Sequence, residues 1–260
     1  MRGGDKRTDA AGEQILARAA ALYIQNLGFE VRSEIAHCDC AAWNGKDLVI
    51  IETKLSFNLK LVYQAIARQT FGAAVYAAIP RLKTMGRKGP WADIKRLCKK
   101  TGIGLLFISW PDTDVAAGTE NDPACALVQE AVKPVPSKQS AHGVRKRKLL
   151  LKEFSERSGD YNTGGSVRTK LITAYREKAL KIAAILMSEK NIPLSTALIR
   201  ERGGPANSTF ILYRDVYNWF ERVSQGFYRL RPAAAKEIKR EYPAQLLQYR
   251  RSKSISTPTV

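Results

Sequence analysis

Three consecutive pieces, Ile35-Ala-His-Cys-Asp-Cys-Ala-Ala-Trp43, Asn44-Gly45-Lys-Asp47 and Leu48-Val-Ile-Ile-Glu-Thr-Lys54, decide how the first half of the chain is read. The outer pieces are rich in residues that favour extended backbone. The Asn-Gly pair between them readily takes the positive φ angles of a tight hairpin turn, so residues 35–43 and 47–54 read as antiparallel strands. Side chains alternate along a strand, which puts Glu52 and Lys54 on one face where the apolar run 48–51 ends. Across the turn Asp39 falls opposite a residue between Ile50 and Glu52, depending on loop length, and both of those positions lie on the face of Glu52. Two carboxylates and a lysine are expected to converge at one strand end.

Working outward, residues 10–27 place apolar side chains at helical spacing (Ile15, Leu16, Ala19, Leu22, Tyr23), and Gly28 is positioned to end that helix. Residues 29–31 read as extended. Asn58 can cap a helix over 59–71, residues 73–79 resemble a buried strand, 91–100 an amphipathic helix and 104–110 another apolar strand. The order α-β-β-β-α-β-α-β predicts an α/β fold, a mixed central sheet flanked by helices.

Beyond Trp110 the composition changes. Residues 1–110 carry 17 basic and 9 acidic side chains, 111–130 carry none and 5, 131–160 carry 8 and 3, and 161–260 carry 18 and 7. The acidic stretch contains Pro111 and Pro123, is followed by Pro134 and Pro136, and leads to the basic run Arg145-Lys-Arg-Lys148, so residues 111–158 read as a linker between a domain over 1–110 and another over 159–250. The basic run suits the start of a solvated helix better than a phosphate-contacting patch. The second domain opens at Gly159-Asp-Tyr-Asn-Thr-Gly-Gly165. Helices are expected over 168–190, then from Ser195 to Gly203-Gly204, then from Pro205 to about Tyr217. Segments 219–223 and 227–230 flank a Ser-Gln-Gly turn, and three helices followed by a hairpin describe a winged helix. A last helix over 233–248 precedes a tail, 251–260, that reads as disordered.

The net charge of +19 points to a polyanionic partner. No apolar stretch is long enough for a membrane span and no leader is recognisable, so a soluble cytoplasmic protein with no membrane partner is expected. Four cysteines, Cys38, Cys40, Cys98 and Cys125, are too few for a disulfide scaffold and lack zinc spacing; they read as free packing thiols. With only His37 and His142 and no G-x-S-x-G, Ser/His/Asp hydrolysis finds no support, and the absence of a phosphate-cradling loop excludes an NTP-driven motor.

The converging charges do suit phosphodiester hydrolysis. Asp39, Glu52 and the Thr53 backbone carbonyl can hold one hard divalent ion, Mg²⁺ or Mn²⁺, and Lys54 can stabilise charge on the phosphate. The plainer alternative is a pair of solvated charges at a strand end. Gln64 and Arg68 stand one helical turn apart and can face Glu52, Gln64 being the stronger candidate. His37 shares the strand parity of Asp39, but a lone histidine is more often a structural hydrogen-bonder. In the second domain Asn207, Arg214 and Asn218 fall on one stripe of the third helix, and Arg222 and Arg229 flank the hairpin turn. Together they make a candidate nucleic-acid surface, with DNA ahead of RNA and a packing module as the alternative. Tyr217, Trp219, Phe220, Phe227 and Tyr228 read as core.

Asp39-x12-Glu52-Thr-Lys54 on a hairpin, after a helix and before a helix bearing Gln64, resembles the PD-(D/E)XK nuclease superfamily over residues 10–110. The run from Val49 to Gln69, with Gly159-Asp-Tyr-Asn-Thr-Gly-Gly-Ser166 and Tyr217-Asn-Trp-Phe-Glu-Arg222, is further similar to a bacterial family of PD-(D/E)XK-type phosphodiesterases. The resemblance implies a restriction-endonuclease-like core, a divalent metal, and catalytic roles for Asp39, Glu52 and Lys54. It also implies a further carboxylate on the first helix, Glu13, with Glu34 as the alternative. Cys38 replaces the proline of the superfamily's name, a departure often seen there. The expected function is a metal-dependent nuclease whose second domain binds substrate. The competing reading is a DNA-binding regulator with an inactive nuclease-like scaffold.

Overall fold

The computed structural model describes residues 6–81, 90–110, 122–160 and 170–254. It divides into two units, Met1–Leu171 and Ile172–Val260. In the first unit the apolar segments form six strands: β1 Glu30–Ile35, β2 Cys38–Trp43, β3 Leu48–Thr53, β4 Ala74–Pro80, β5 Gly104–Ser109 and β6 Leu127–Val132. They lie side by side in chain order. The β1–β2, β2–β3 and β5–β6 pairs are antiparallel, while β3–β4 and β4–β5 are parallel, so the expected mixed sheet is present.

Helices cover both faces. α1 Lys6–Asn26 packs Leu16, Ala20 and Ile24 against Cys40, Ile51, Ala78 and Leu106. On the other face Leu61, Val62 and Ala65 of α2 Leu59–Gln69 and Cys98 of α3 Pro90–Thr101 meet Ile50, Val75, Ala77 and Leu105. Asn58 caps α2 as its sequence suggests, its side chain accepting from the Leu61 N–H at 3.0 Å. The continuous burial of β3, and of β4 after Ala74, follows from helices on both sides.

Residues 35–43 do not form one strand. Ala36 and His37 take positive φ angles of 49° and 65° and make a tight turn that pairs Ile35 with Cys38, so β1 and β2 are themselves a hairpin. The left-handed region is unfavourable for such residues, and outside hydrogen bonds offset it. The Arg157 guanidinium donates to the Ser33 and Glu34 carbonyls, both at 3.0 Å. Asp160 accepts from the Ser33 N–H at 2.7 Å and from its hydroxyl at 2.8 Å.

The supposed linker is largely part of the first unit. β6 lies at its centre, with Glu130 bonded to the Tyr76 hydroxyl and the Asp122 carbonyl accepting from the Trp110 indole at 2.8 Å. The basic run belongs to α4 Ala141–Glu156, which buries Leu150 and Phe154 on the α2 face. Arg147 donates to the Phe71 and Gly72 carbonyls at 3.2 and 3.0 Å and lies over the Trp43 ring. α4 approaches the end of α2 so closely that a Cβ on Gly143 would lie 1.7 Å from the Thr70 carbonyl oxygen. The acidic and proline-bearing composition misled because Glu130 has a buried partner and Pro134 and Pro136 fall after the strand. Residues 111–121 lie outside those described, as do 161–169.

In the second unit α5 Ala174–Ser188 is followed by β7 Leu194–Ser195, α6 Thr196–Glu201, α7 Ser208–Arg214, β8 Phe220–Ser224, β9 Phe227–Leu230, α8 Pro232–Glu241 and α9 Pro243–Ser254. The three strands are ordered β7-β9-β8. α7 stops at Arg214 rather than near Tyr217, because Asp215 takes a left-handed φ of 34° and its carboxylate accepts from the Trp219 and Phe220 N–H groups. Asn218 therefore lies past the helix and does not share its stripe. The expected helix over 233–248 is broken at Tyr242, which Pro243 drives out of helical backbone. Residues 251–254 of the expected disordered tail are helical, and 255–260 lie outside those described. Among the described residues no helix is long and apolar enough to cross a membrane.

Candidate active site

The β2–β3 ladder pairs Cys40 with Ile51. Continued by one residue, that register sets Asp39 opposite Glu52, as the hairpin geometry predicts. Asp39 is fastened to the end of β3 through one oxygen, Oδ2, which accepts from the Thr53 N–H at 2.8 Å and the Thr53 hydroxyl at 2.9 Å. Glu52 is 1% exposed. Its Oε1 accepts from Arg68 Nε at 2.7 Å, while Oε2 is buried with no hydrogen-bond partner.

Burial pushes the Glu52 carboxyl up to about 7, and the neighbouring Asp39 charge adds to the rise; the Arg68 hydrogen bond and charge, then the Lys54 charge, work against it. The ion pair with Arg68 thus under-compensates the removal of Glu52 from water. Arg68 moves in a direction that favours its own charged form: burial lowers its pKa, but the negative groups around it, Glu52 and Asp39 among them, together raise it. The two shifts describe one pair from its two ends. The rise at Glu52 decides the balance, since a guanidinium is ionised in either case.

Lys54 is not on the α2 face with Glu52. Its ammonium bonds Glu13 Oε2 of α1 at 2.8 Å, on the far side of the sheet. Strand alternation stops because β3 ends at Thr53, although the Lys54 N–H still donates to the Ala78 carbonyl at 3.1 Å. The site is therefore straddled by two ion pairs, Glu52–Arg68 above the sheet and Lys54–Glu13 below it. Of the two candidate carboxylates beyond the hairpin, Glu13 is the one bonded to Lys54. Gln64 faces inward as expected, with Oε1 buried and unpartnered. Arg68, the lesser of the α2 pair on sequence grounds, is the one that touches Glu52. The available signal was its four-residue spacing from Gln64 together with the need of a buried carboxylate for a cation. His37 is exposed and contributes its backbone carbonyl, which accepts from Arg68 Nη2.

The cysteines are free, and burial raises the thiol pKa of Cys38, Cys40 and Cys98, that of Cys38 to about 12, which suits packing rather than reactivity. Among the described residues no three His, Cys, Asp or Glu side chains are grouped to hold a metal ion. Any ion here would rest on two carboxylates and backbone oxygen.

Residues 121–237 match a family model described as "Putative PD-(D/E)XK phosphodiesterase (DUF2161)". The resemblance read from the sequence is shown by that match, and the six-stranded mixed sheet agrees with the restriction-endonuclease-like core it implies. The matched stretch takes in β6, α4, Arg157 and Asp160 and most of the second unit; Asp39, Glu52 and Lys54 precede it, so their assignment stands on geometry. No curated protein and no solved structure matches.

In the second unit Asn207 occupies the N-cap of α7 without a side-chain capping bond, and Arg214 lies over the Phe210 ring at 5.7 Å. Arg222 Nε donates to the Ser224 carbonyl at 3.4 Å, and Arg229 grips Glu221 through Nε and Nη2 at 2.9 and 3.1 Å. Trp219, Phe220 and Tyr228 are core, and Tyr217 stacks on Trp219. Phe227, read as core, is exposed at the tip of the hairpin.

Proposed function

We propose that the chain is a metal-dependent phosphodiesterase that hydrolyses nucleic acid, DNA ahead of RNA, at the open end of the β2–β3 hairpin. The observation that carries this reading is the buried, unpartnered Oε2 of Glu52 beside Asp39. An anionic oxygen shut away from water without a donor is costly, and a hard cation is the partner that suits two adjacent carboxylates. The donor set of Asp39, Glu52 and the Thr53 carbonyl fits Mg²⁺ or Mn²⁺. When bound, such an ion polarises the phosphate and lowers the pKa of a water molecule.

The chain's own residues have distinct tasks. Thr53 holds Asp39 in place by two hydrogen bonds. Lys54, at the strand end, brings a positive charge to phosphate oxygens as negative charge builds on them, and Glu13 orients that ammonium. Gln64 lines the α2 wall with an amide able to orient a phosphate; the lysine, its other expected partner, is bonded to Glu13 on the other face. For the second unit, helix, short strand, two helices and a hairpin with strand order β7-β9-β8 support a winged-helix reading. Its basic surface, with Asn207, Arg214, Arg222 and Arg229, would hold the nucleic-acid backbone.

A panel of single- and double-stranded DNA and RNA, incubated with the full chain with and without Mn²⁺, tests the proposal. Metal-dependent cleavage that is absent in Glu52→Gln supports it. Binding without cleavage of any substrate would favour the regulator reading, to which the position of the family match, over the second unit and not the hairpin, lends weight.

A further inference from the structure

Arg68 is the one described cation bonded to Glu52, because the Lys54 ammonium is committed to Glu13. It also reaches the carbonyl of His37, two residues before Asp39. A single guanidinium thus spans from the β3 carboxylate to the turn that presents the β2 carboxylate. Its contact with Glu52 is made through Nε alone, and Nη1 has no described partner. The Arg68 side chain is 16% exposed where that of Glu52 is 1%, so it is the member of the pair that solvent reaches.

This arrangement has a consequence for loading. A divalent ion and a guanidinium repel each other, and both are drawn to the same carboxylate. A guanidinium held to a carboxylate by one nitrogen leaves part of its fork open, and phosphate oxygens match that fork in bidentate geometry. We propose that Arg68 is a resident cation that competes with the divalent ion for Glu52 and is drawn off by the phosphodiester backbone of the substrate, so that metal and nucleic acid load the site cooperatively. The proposal rests on the phosphodiesterase reading above. Before substrate arrives, the Glu52 carboxylate keeps a counter-ion and the β1–β2 turn keeps its clasp. Once a phosphate engages Arg68, Oε1 is released beside the already unpartnered Oε2. Coupling of this kind is reciprocal: bound metal, by expelling Arg68 from Glu52, also raises affinity for the phosphate.

Calorimetric Mn²⁺ titration of the full chain tests this, using wild type, Arg68→Ala and Arg68→Gln. Each is titrated alone and with an oligodeoxynucleotide whose linkages are uncleavable methylene phosphonates that keep their negative charge. Arg68→Gln places an uncharged amide where Nε meets Glu52 and, like Arg68→Ala, gives up the bond to the His37 carbonyl, so comparing the two variants separates loss of the charge from loss of the hydrogen bond to Glu52. Without oligonucleotide both variants should bind Mn²⁺ about tenfold more tightly than wild type; the oligonucleotide should tighten wild-type binding by about the same factor and leave the variants nearly unchanged. Variants that bind Mn²⁺ no better than wild type, or an oligonucleotide effect equal in all three, would overturn the competition while leaving the metal site standing. Failure of all three proteins to bind Mn²⁺ would remove the site itself, and with it the proposal.

Discussion

The β2–β3 and β8–β9 hairpins carry charge in opposite ways. At the first, Glu52 and Lys54 are buried or half-buried and are answered by residues 16 and 41 positions away, on helices that cover the two faces of a sheet. At the second, Arg229 and Glu221 are exposed partners eight residues apart on neighbouring strands. A buried charge is retained against a large desolvation cost, whereas an exposed one costs the fold little and stays available to a polyanion. The contrast separates a place built to hold something from a surface that meets something.

The sharpest way to break the contrast is to neutralise each hairpin in turn. Glu52→Gln should lower cleavage by about 10³-fold and weaken Mn²⁺ binding together with it, since an amide is a poor ligand for a hard ion. Lys54→Ala should lower cleavage by about 10²-fold while Mn²⁺ binding survives or strengthens. Rates and titrations on the two variants decide this; parallel loss of metal binding in both would mean that Lys54 has only a structural task.

A second test uses pH. The Glu52 carboxyl is raised from its ordinary 4.5 to about 7, so the folded chain holds that proton more tightly than the unfolded chain does. From this group, metal-free stability is greatest below the unfolded value and falls as pH rises from about 4.5 to about 7, a loss of roughly 3 kcal/mol. Urea unfolding of wild type and Glu52→Gln across that range isolates the effect, and Mn²⁺ should restore stability at pH 7 in wild type alone. Identical pH profiles for the two proteins would show that burial of the carboxylate is not under-compensated.

Smaller effects follow away from the buried charges. Gly143→Ala forces α4 off the Thr70 carbonyl and should cost about 2 kcal/mol or more in urea unfolding, loosening the helix that carries the Arg147 and Arg157 clamps. Arg222→Ala at the exposed hairpin should leave cleavage of saturating substrate unchanged, weaken duplex binding several-fold, and reduce the salt slope of binding by about one. A salt slope equal to that of wild type would take Arg222 out of the nucleic-acid surface.

Much of this is legible in the sequence, where local chemistry decides. Asn44-Gly45 placed the hairpin, Asn58 and Ser195 placed their caps, and hairpin register brought Asp39 opposite Glu52. What was misread depends on contacts distant in the chain. The Ala36-His37 turn lacks glycine or asparagine and is held by Arg68, Arg157 and Asp160 from outside. Lys54 left the expected face because the strand ended one residue earlier, and α7 stopped early because Asp215 caps the chain that follows it. β6 read as linker because its acidic residue is answered by a tyrosine on a strand 54 positions away.

The place of β6 has a practical consequence. Residues 127–132 seal the side of β5, whose members Leu105, Leu106, Phe107 and Ile108 are all buried. A fragment ending at Trp110, the boundary that composition suggests, would leave that row of peptide N–H and C=O groups unpaired along a strongly apolar strand, a template on which a second chain can add. Such a fragment is expected to self-associate into aggregates, and one that extends through α4 to stay monodisperse, because what looks like a tether is the piece that keeps the molecule from sticking to itself.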